Sequence, residues 1–179
     1  VTSTSIARDK AEKHNKEILF LNQSIDSFEL YGTVDAFVCL LDSINYITYK
    51  NELKRAFRLV NNYLNPGGMF IFDINSKYKF ENILANNVYY QVSDDVTYIW
   101  QNNYDKKSNI CCFDLTFFVR QGEMYRRFDE IHYERAYDEK ELTGMIAGSG
   151  LKLCAIYDEM RFVKPSWNSE RIFYICKKV

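Results

Sequence analysis

The chain has 179 residues, 47% of them hydrophobic and 16% aromatic, which is enough to bury one substantial core. Its 23 Lys and Arg balance 24 Asp and Glu, giving a net charge of −1, and no basic stripe marks it as a nucleic-acid binder. No run approaches the ~18 apolar residues of a membrane span. The 5 Cys include no C-x-x-C spacing and read as buried reduced thiols of a cytoplasmic protein.

Residues 3–14 read as a helix with Ser or Thr at its start and Ile6, Ala7 and Ala11 on one face. "EILFLNQSI" (17–25) reads as an apolar strand that runs into polar residues, and "VDAFVCLLDS" (34–43) as a second, ending in Asp42-Ser43. Thr48 or Asn51 can cap a helix over 50–64, where Leu53, Ala56, Phe57, Val60 and Leu64 keep helical spacing. Pro66 and Gly67 end that helix, and "MFIFDINS" leaves at once as a strand buried on both faces. Helix, strand, strand, helix, strand, with apolar strands throughout, predicts an α/β parallel sheet.

From about residue 86 the texture changes. "VYYQV", "VTYIWQNNY", "NICCFDLTFFVR" and "MYRRFDEIHYERAY" are β-branched and aromatic, separated by "DKKS" and "QGE" turns, and predict an antiparallel meander. Asp138 with Glu141 resembles a capping box for a helix over 139–148, and two strands, "LKLCAIYDE" and "RIFYICKK", close the chain. The division expected is therefore a core of 1–85 and 138–179 carrying a β insertion over 86–137.

No Walker lysine loop is present, and Gly148-Ser149-Gly150 leaves a helix for a strand, the wrong direction to cradle phosphate. Open α/β sheets bind ligands beyond the carboxyl ends of their strands. Three such ends are polar here: Gln23-Ser24, Asp42-Ser43-Ile44-Asn45-Tyr46 and Asp73-Ile74-Asn75-Ser76. The same residue types also favour turns and caps. On the last meander strand, alternation places Arg126, Phe128, Glu130, His132 and Glu134 on one face, either a solvated ion-pair face or a histidine oriented as a base. With only 2 His, no metal site is expected.

"VDAFVCLLDSINYI", "NYLNPGG" and "MFIFDINS", in that order, resemble class I S-adenosylmethionine-dependent methyltransferases. "YIW", "FFVRQGE", "RFDEIHYERAY" and "SERIFY" resemble a bacterial branch of that family with a β insertion, and the resemblance covers nearly the whole chain. It implies a Rossmann-like α/β sheet in spatial order 3-2-1-4-5-7-6 with the last strand antiparallel, and an inserted antiparallel meander. Residues 17–23 would be strand 3, 34–41 strand 4, 69–74 strand 5, and the final two strands 6 and 7.

In the family, strand 1, its Gly-rich loop and the acidic end of strand 2 precede the helix that opens this sequence. No residues here match them. The chain is therefore expected to be the C-terminal part of a longer enzyme, with a sheet incomplete at its N-terminal half and no activity by itself.

By family position the resemblance places S-adenosylmethionine against Ser24 and Ile25 at adenine, and against Leu40, Leu41 and Asp42 at the methionine portion. Ser24 stands where many relatives carry Asp. Asn45, Tyr46, Asp73 and Asn75 would rim the pocket of a small N- or O-nucleophile, with His132 and Glu130 as base or acceptor-orienting residues. Two alternatives stay open: an RNA-modifying methyltransferase using a patch around Arg126, Arg127 and Lys164, and a non-catalytic binding module of the same fold. A homodimer through the β insertion is a further expectation.

Overall fold

A computed structural model describes residues 3–179. Helix α1 (Ser3–Lys13) carries Lys10 and Lys13 in its last turn, where cations complement the helix dipole. The strand expected over 17–25 is absent: residues 16–24 have no regular structure, and Ile18, Leu19 and Leu21 are exposed. A strand exists only through a hydrogen-bonding neighbour, and among the described residues none pairs with this segment.

Strand β1 (Val34–Cys39) is followed by helix α2 (Lys50–Tyr63) and strand β2 (Leu64–Asn75), parallel to β1, with Val38 opposite Ile71 and Cys39 opposite Phe72. Helix α2 buries the predicted face, Leu53, Ala56, Phe57 and Val60. Its cap position is Tyr49 with no side-chain bond, so neither Thr48 nor Asn51 caps it. Pro66-Gly67-Gly68 forms no separate turn but a bulge inside β2, between the Val34–Leu64 and Ala36–Met69 pairs, after a helix that ends at Tyr63. Gly67 has φ +80°, and a Cβ on Gly68 would lie 2.9 Å from the carbonyl oxygens of both Asn65 and Asp35. Only glycine fits that approach.

After β2, a single helical turn, α3 (Lys77–Lys79), runs into a π turn over Phe80–Leu84. Four antiparallel strands follow in sheet order β3-β4-β5-β6: β3 (Val88–Val92), β4 (Val96–Asp105), β5 (Ile110–Gln121) and β6 (Met124–Arg135). The "DKKS" turn is organised by the Asp105 carboxylate, which accepts from the backbone N–H of Lys107 and Ser108. Gly122, at φ +67°, makes the tight turn into β6.

Helix α4 (Glu139–Gly148) spans the expected residues, but the capping box does not form. Asp138 goes instead to Lys77 at 3.3 Å, and Glu141 pairs with Lys50. Strands β7 (Leu151–Asp158) and β8 (Arg171–Lys178) complete a mixed sheet in order β1-β2-β8-β7, with β8 antiparallel to both neighbours.

The main core lies between this sheet and α2 and α4, around Phe57, Phe70, Phe72, Tyr137, Leu142 and Tyr174. Phe72 and Tyr174 stack with centroids 4.9 Å apart. A second cluster, Phe80, Leu84, Tyr104, Cys111 and Phe113, fastens the meander to the π turn. All five cysteines are free; Cys111 and Cys176 are buried as expected, whereas Cys39 and Cys112 are half-buried and Cys154 is exposed.

Candidate active site

At the carboxyl end of β1 the chain turns sharply. Leu41 and Asp42 have φ of 58° and 52°, a left-handed conformation costly for Leu. The turn sets the Asp42 backbone N–H 3.2 Å from Asp73 Oδ2 at the end of β2. Arg171, opposite Asn75 in the β2–β8 register, bridges both acids: Nη2 donates to Asp42 Oδ1 at 2.9 Å and Nη1 to Asp73 Oδ2. Asp73 is 1% exposed, so this guanidinium keeps its charge tolerable. The second Asp73 oxygen, Oδ1, has no hydrogen-bond partner among the described residues.

Asn45 is fully buried and ties three segments together. Its Oδ1 accepts from the Asn75 backbone N–H at 2.9 Å, while Nδ2 donates to the carbonyls of Asn75 and Arg135 at 3.2 and 2.9 Å. The Arg135 N–H returns to the Asn45 carbonyl at 2.7 Å. The strand-end loop is thereby locked to the end of β6, which swings the inner face of the meander over the strand ends.

Between them lies a pocket of about 320 Å³. Its polar wall is Asp42, Asn75, Lys79, His132, Glu134 and Arg171, and its apolar wall Tyr46, Leu84, Trp100, Phe113 and Leu115. Glu134 is 2% exposed. Burial first, and the Asp42 carboxylate second, push its carboxyl up to about 8, against Asn75, Lys79 and Arg171, which pull the other way. Asn75 Nδ2 donates to Glu134 Oε2 at 3.4 Å, and Lys79 Nζ donates to Asn75 Oδ1 at 3.0 Å. The His132 ring meets Tyr46 edge-on at 5.8 Å, and its Nε2 lies 3.3 Å from Glu130 Oε2. Burial, then Glu134 and Asp42, raise the Tyr46 phenol.

Of the residues singled out in the sequence, Asp42, Tyr46, Asn75 and His132 share this pocket. Asn45 and Asp73 stand behind its wall, engaged as struts. Glu130 is half exposed and reaches the pocket only through His132. Leu40 and Leu41 are exposed at the strand end. Ile25 and Ser24 instead line an apolar groove of about 290 Å³ with Phe28, Phe37, Val38 and Cys39. There the Ser24 hydroxyl donates to Asp26 Oδ1 at 2.7 Å.

Glu134, Lys79 and Arg171 were missing from the sequence-based site. For Glu134 a signal existed, since it shares the face of Glu130 and His132. Lys79 and Arg171 gave none, because only the fold brings them to the strand ends.

Among the described residues no group of three or more His, Cys, Asp or Glu could hold a metal ion, and no helix is long and apolar enough to cross a membrane.

No family model matches the chain. It is 32% identical over 175 residues to "Putative methyltransferase YqeM" of Bacillus subtilis (strain 168), a match that spans 97% of this chain and 70% of that protein. It superimposes with a TM-score of 0.92 on the crystal structure of an S-adenosylmethionine-dependent methyltransferase from Clostridium acetobutylicum ATCC 824. That match has 36% identity and covers 97% of this chain and 70% of the other. The fold also matches CalS10, an amino pentose methyltransferase from Micromonospora echinaspora with S-adenosylmethionine bound. There the TM-score is 0.68 and the identity 17%, over 88% of this chain and 63% of the other. A sheet in the order expected of strands 4-5-7-6, polar strand ends roofed by a meander, and these two relatives above 30% identity establish that the chain belongs to the class I S-adenosylmethionine-dependent methyltransferases.

Proposed function

We propose that this protein methylates an amine or hydroxyl of a small molecule held in the pocket between the strand ends and the meander. The observation that carries the reading is Glu134, a buried carboxyl held near neutrality of charge, facing an aromatic-walled pocket of small-molecule size. CalS10, an amino pentose methyltransferase, shares the fold, which favours a small polar acceptor of that kind.

The residues present fit the methyl donor. S-adenosylmethionine, when bound, supplies an electrophilic methyl on a cationic sulfonium. Asp42 and Glu134 offer carboxylates, and Tyr46, Trp100 and Phe113 offer aromatic faces, to such a cation. Leu40, Leu41 and Asp42 would hold its amino-acid end. Ile25 would flank the adenine along the apolar groove, and the Ser24 hydroxyl, which gives its proton to Asp26, keeps lone pairs to accept from an exocyclic amine.

The Glu134 carboxylate would take the proton that the acceptor's nitrogen or oxygen loses on methylation. His132, steadied by Glu130 and Tyr46, orients the acceptor, and Asn75 and Lys79 fix Glu134 in place. In this reading residues 86–137 are an insertion on the core of 1–85 and 138–179, and they supply the base and the pocket's roof.

Methyl-labelled donor offered to the full-length enzyme with a panel of small amines, amino sugars and hydroxy compounds, and with total RNA in parallel, tests the reading. Labelled small-molecule product is expected. Label in RNA alone would replace it with the RNA-modifying alternative.

A further inference from the structure

We propose that two copies of this protein pair antiparallel along β6, about a twofold axis through Phe128, joining two meanders into one continuous sheet. The inference rests on the sheet alone and is independent of the acceptor.

β6 is an edge strand, hydrogen-bonded only to β5 among the described residues. It pairs with β5 through twelve residues without a register shift, from Gln121–Met124 to Ile110–Arg135. Protein edges of this length are normally blunted by charged side chains, above all Lys, or by Pro, a bulge or a covering element. β6 contains no Pro, Gly or Lys, and its exposed charges are of both signs, Arg126 and Arg127 followed by Asp129 and Glu130. The loop after β1 covers it only from His132 onward, where Tyr46 sits, and residues 124–131 are all exposed. Tyr125 is 53% and Ile131 59% exposed.

Backbone direction limits the register. The N–H and C=O of Arg135 both bond Asn45, off the free edge, so strand alternation turns those of Tyr133, Ile131, Asp129, Arg127 and Tyr125 outward too. Outward groups must meet outward groups, so a twofold axis has to pass through a residue rather than between two. Centring on Arg126, Arg127, Asp129 or Glu130 sets that charge against its own copy, which is unfavourable directly across a ladder.

Centring on Phe128 does the opposite. Arg127 meets Asp129 of the second copy, Arg126 meets Glu130, and Tyr125 meets Ile131. The run Arg126-Arg127-Phe128-Asp129-Glu130 is therefore self-complementary when antiparallel. Phe128 then forms a non-hydrogen-bonded pair, in which side chains come closest.

An aromatic row points to the same axis. Tyr98 lies 6.0 Å from Phe117, and Phe117 stacks on Phe128 at 5.0 Å, each directly cross-strand. The row stops at the free edge with Phe128 38% exposed. Pairing through Phe128 continues it into the second copy.

Sedimentation velocity tests this with charge-recoded strands. The protein itself is expected to be a dimer at tens of micromolar. An all-acidic variant (Arg126→Glu with Arg127→Glu) and an all-basic one (Asp129→Arg with Glu130→Arg) should each be monomeric and should associate one-to-one when mixed. Phe128→Asp, which sets two carboxylates on the axis, should be monomeric as an independent disruption. A monomeric parent, a recoded variant that stays dimeric alone, or folded variants that fail to associate on mixing would each overturn the proposal.

Discussion

Asn75, at the end of β2, donates its side-chain amide to Glu134, near the end of β6, at 3.4 Å. The two residues belong to different sheets, and this contact puts a buried carboxyl from the meander at the carboxyl ends of the core strands. Glu134 gains a polar partner there but, among the described residues, no cation at ion-pair distance, and burial dominates its titration.

A base must be ionised to accept a proton. With the Glu134 carboxyl pushed up to about 8, turnover should rise tenfold per pH unit below that value and level off above it. Glu134→Gln should remove the inflection and lower kcat by roughly 10²–10⁴-fold, while donor affinity, read by calorimetry, stays within a few-fold. A variant that keeps the inflection would assign it to another group.

The same shift makes stability depend on pH. The folded carboxyl holds its proton to about 8, whereas the unfolded one releases it near its ordinary value of 4.5. Between those values the folded state binds more protons, so stability is greatest at the acidic end, falls as pH rises, and is flat above about 8. In Glu134→Gln this slope disappears. The variant should therefore melt higher relative to the parent at pH 9 than at pH 5, by a margin on the order of a few kcal/mol.

Asn45 should be a stability residue. Asn45→Ala removes three hydrogen bonds and leaves the Asn75 and Arg135 backbone groups without those partners in a buried seam. A loss of roughly 2–4 kcal/mol in chemical denaturation is expected. Asn45→Asp should do no better, since its second oxygen cannot donate to two carbonyls.

Much of the fold was legible because its signals are local. Helical spacing on Leu53, Ala56, Phe57 and Val60 and alternation through the meander each follow from a few neighbouring residues. The failures were non-local. Residues 17–25 have strand composition but no partner among the described residues, and Asp138 and Glu141 have capping chemistry but meet Lys77 and Lys50 first. Asp42, Asn75 and His132 could be placed near one another by the strand-end rule and by resemblance. Arg171 could not, because its role depends on the β2–β8 register, and the raised Glu134 carboxyl depends on a burial that alternation alone does not reveal.

His132 should show its role through catalysis rather than stability. It is about one-third exposed and contacts Glu130 and Tyr46 at the pocket mouth, so His132→Ala should cost little in melting temperature. Turnover should fall about 10²-fold if the ring fixes the acceptor, since a small misplacement costs that much. Donor binding should be unchanged, and Glu130→Gln should give a smaller loss of the same kind. Normal turnover in both variants would assign acceptor orientation to Tyr46 and Asn75.

Arg171 bridges Asp42 and Asp73, and among the described residues Asp73 has no other cation in contact. Arg171→Leu would leave a carboxylate that is 1% exposed without its charge partner, at an expected cost of roughly 3–5 kcal/mol near neutral pH. A second substitution separates this from a packing defect. A second change, Asp73→Asn in the Arg171→Leu background, should recover most of the loss at pH 7 by removing the unpaired charge. A cavity left by the missing guanidinium would not respond to that change, so the absence of rescue would reject the electrostatic account of this bridge.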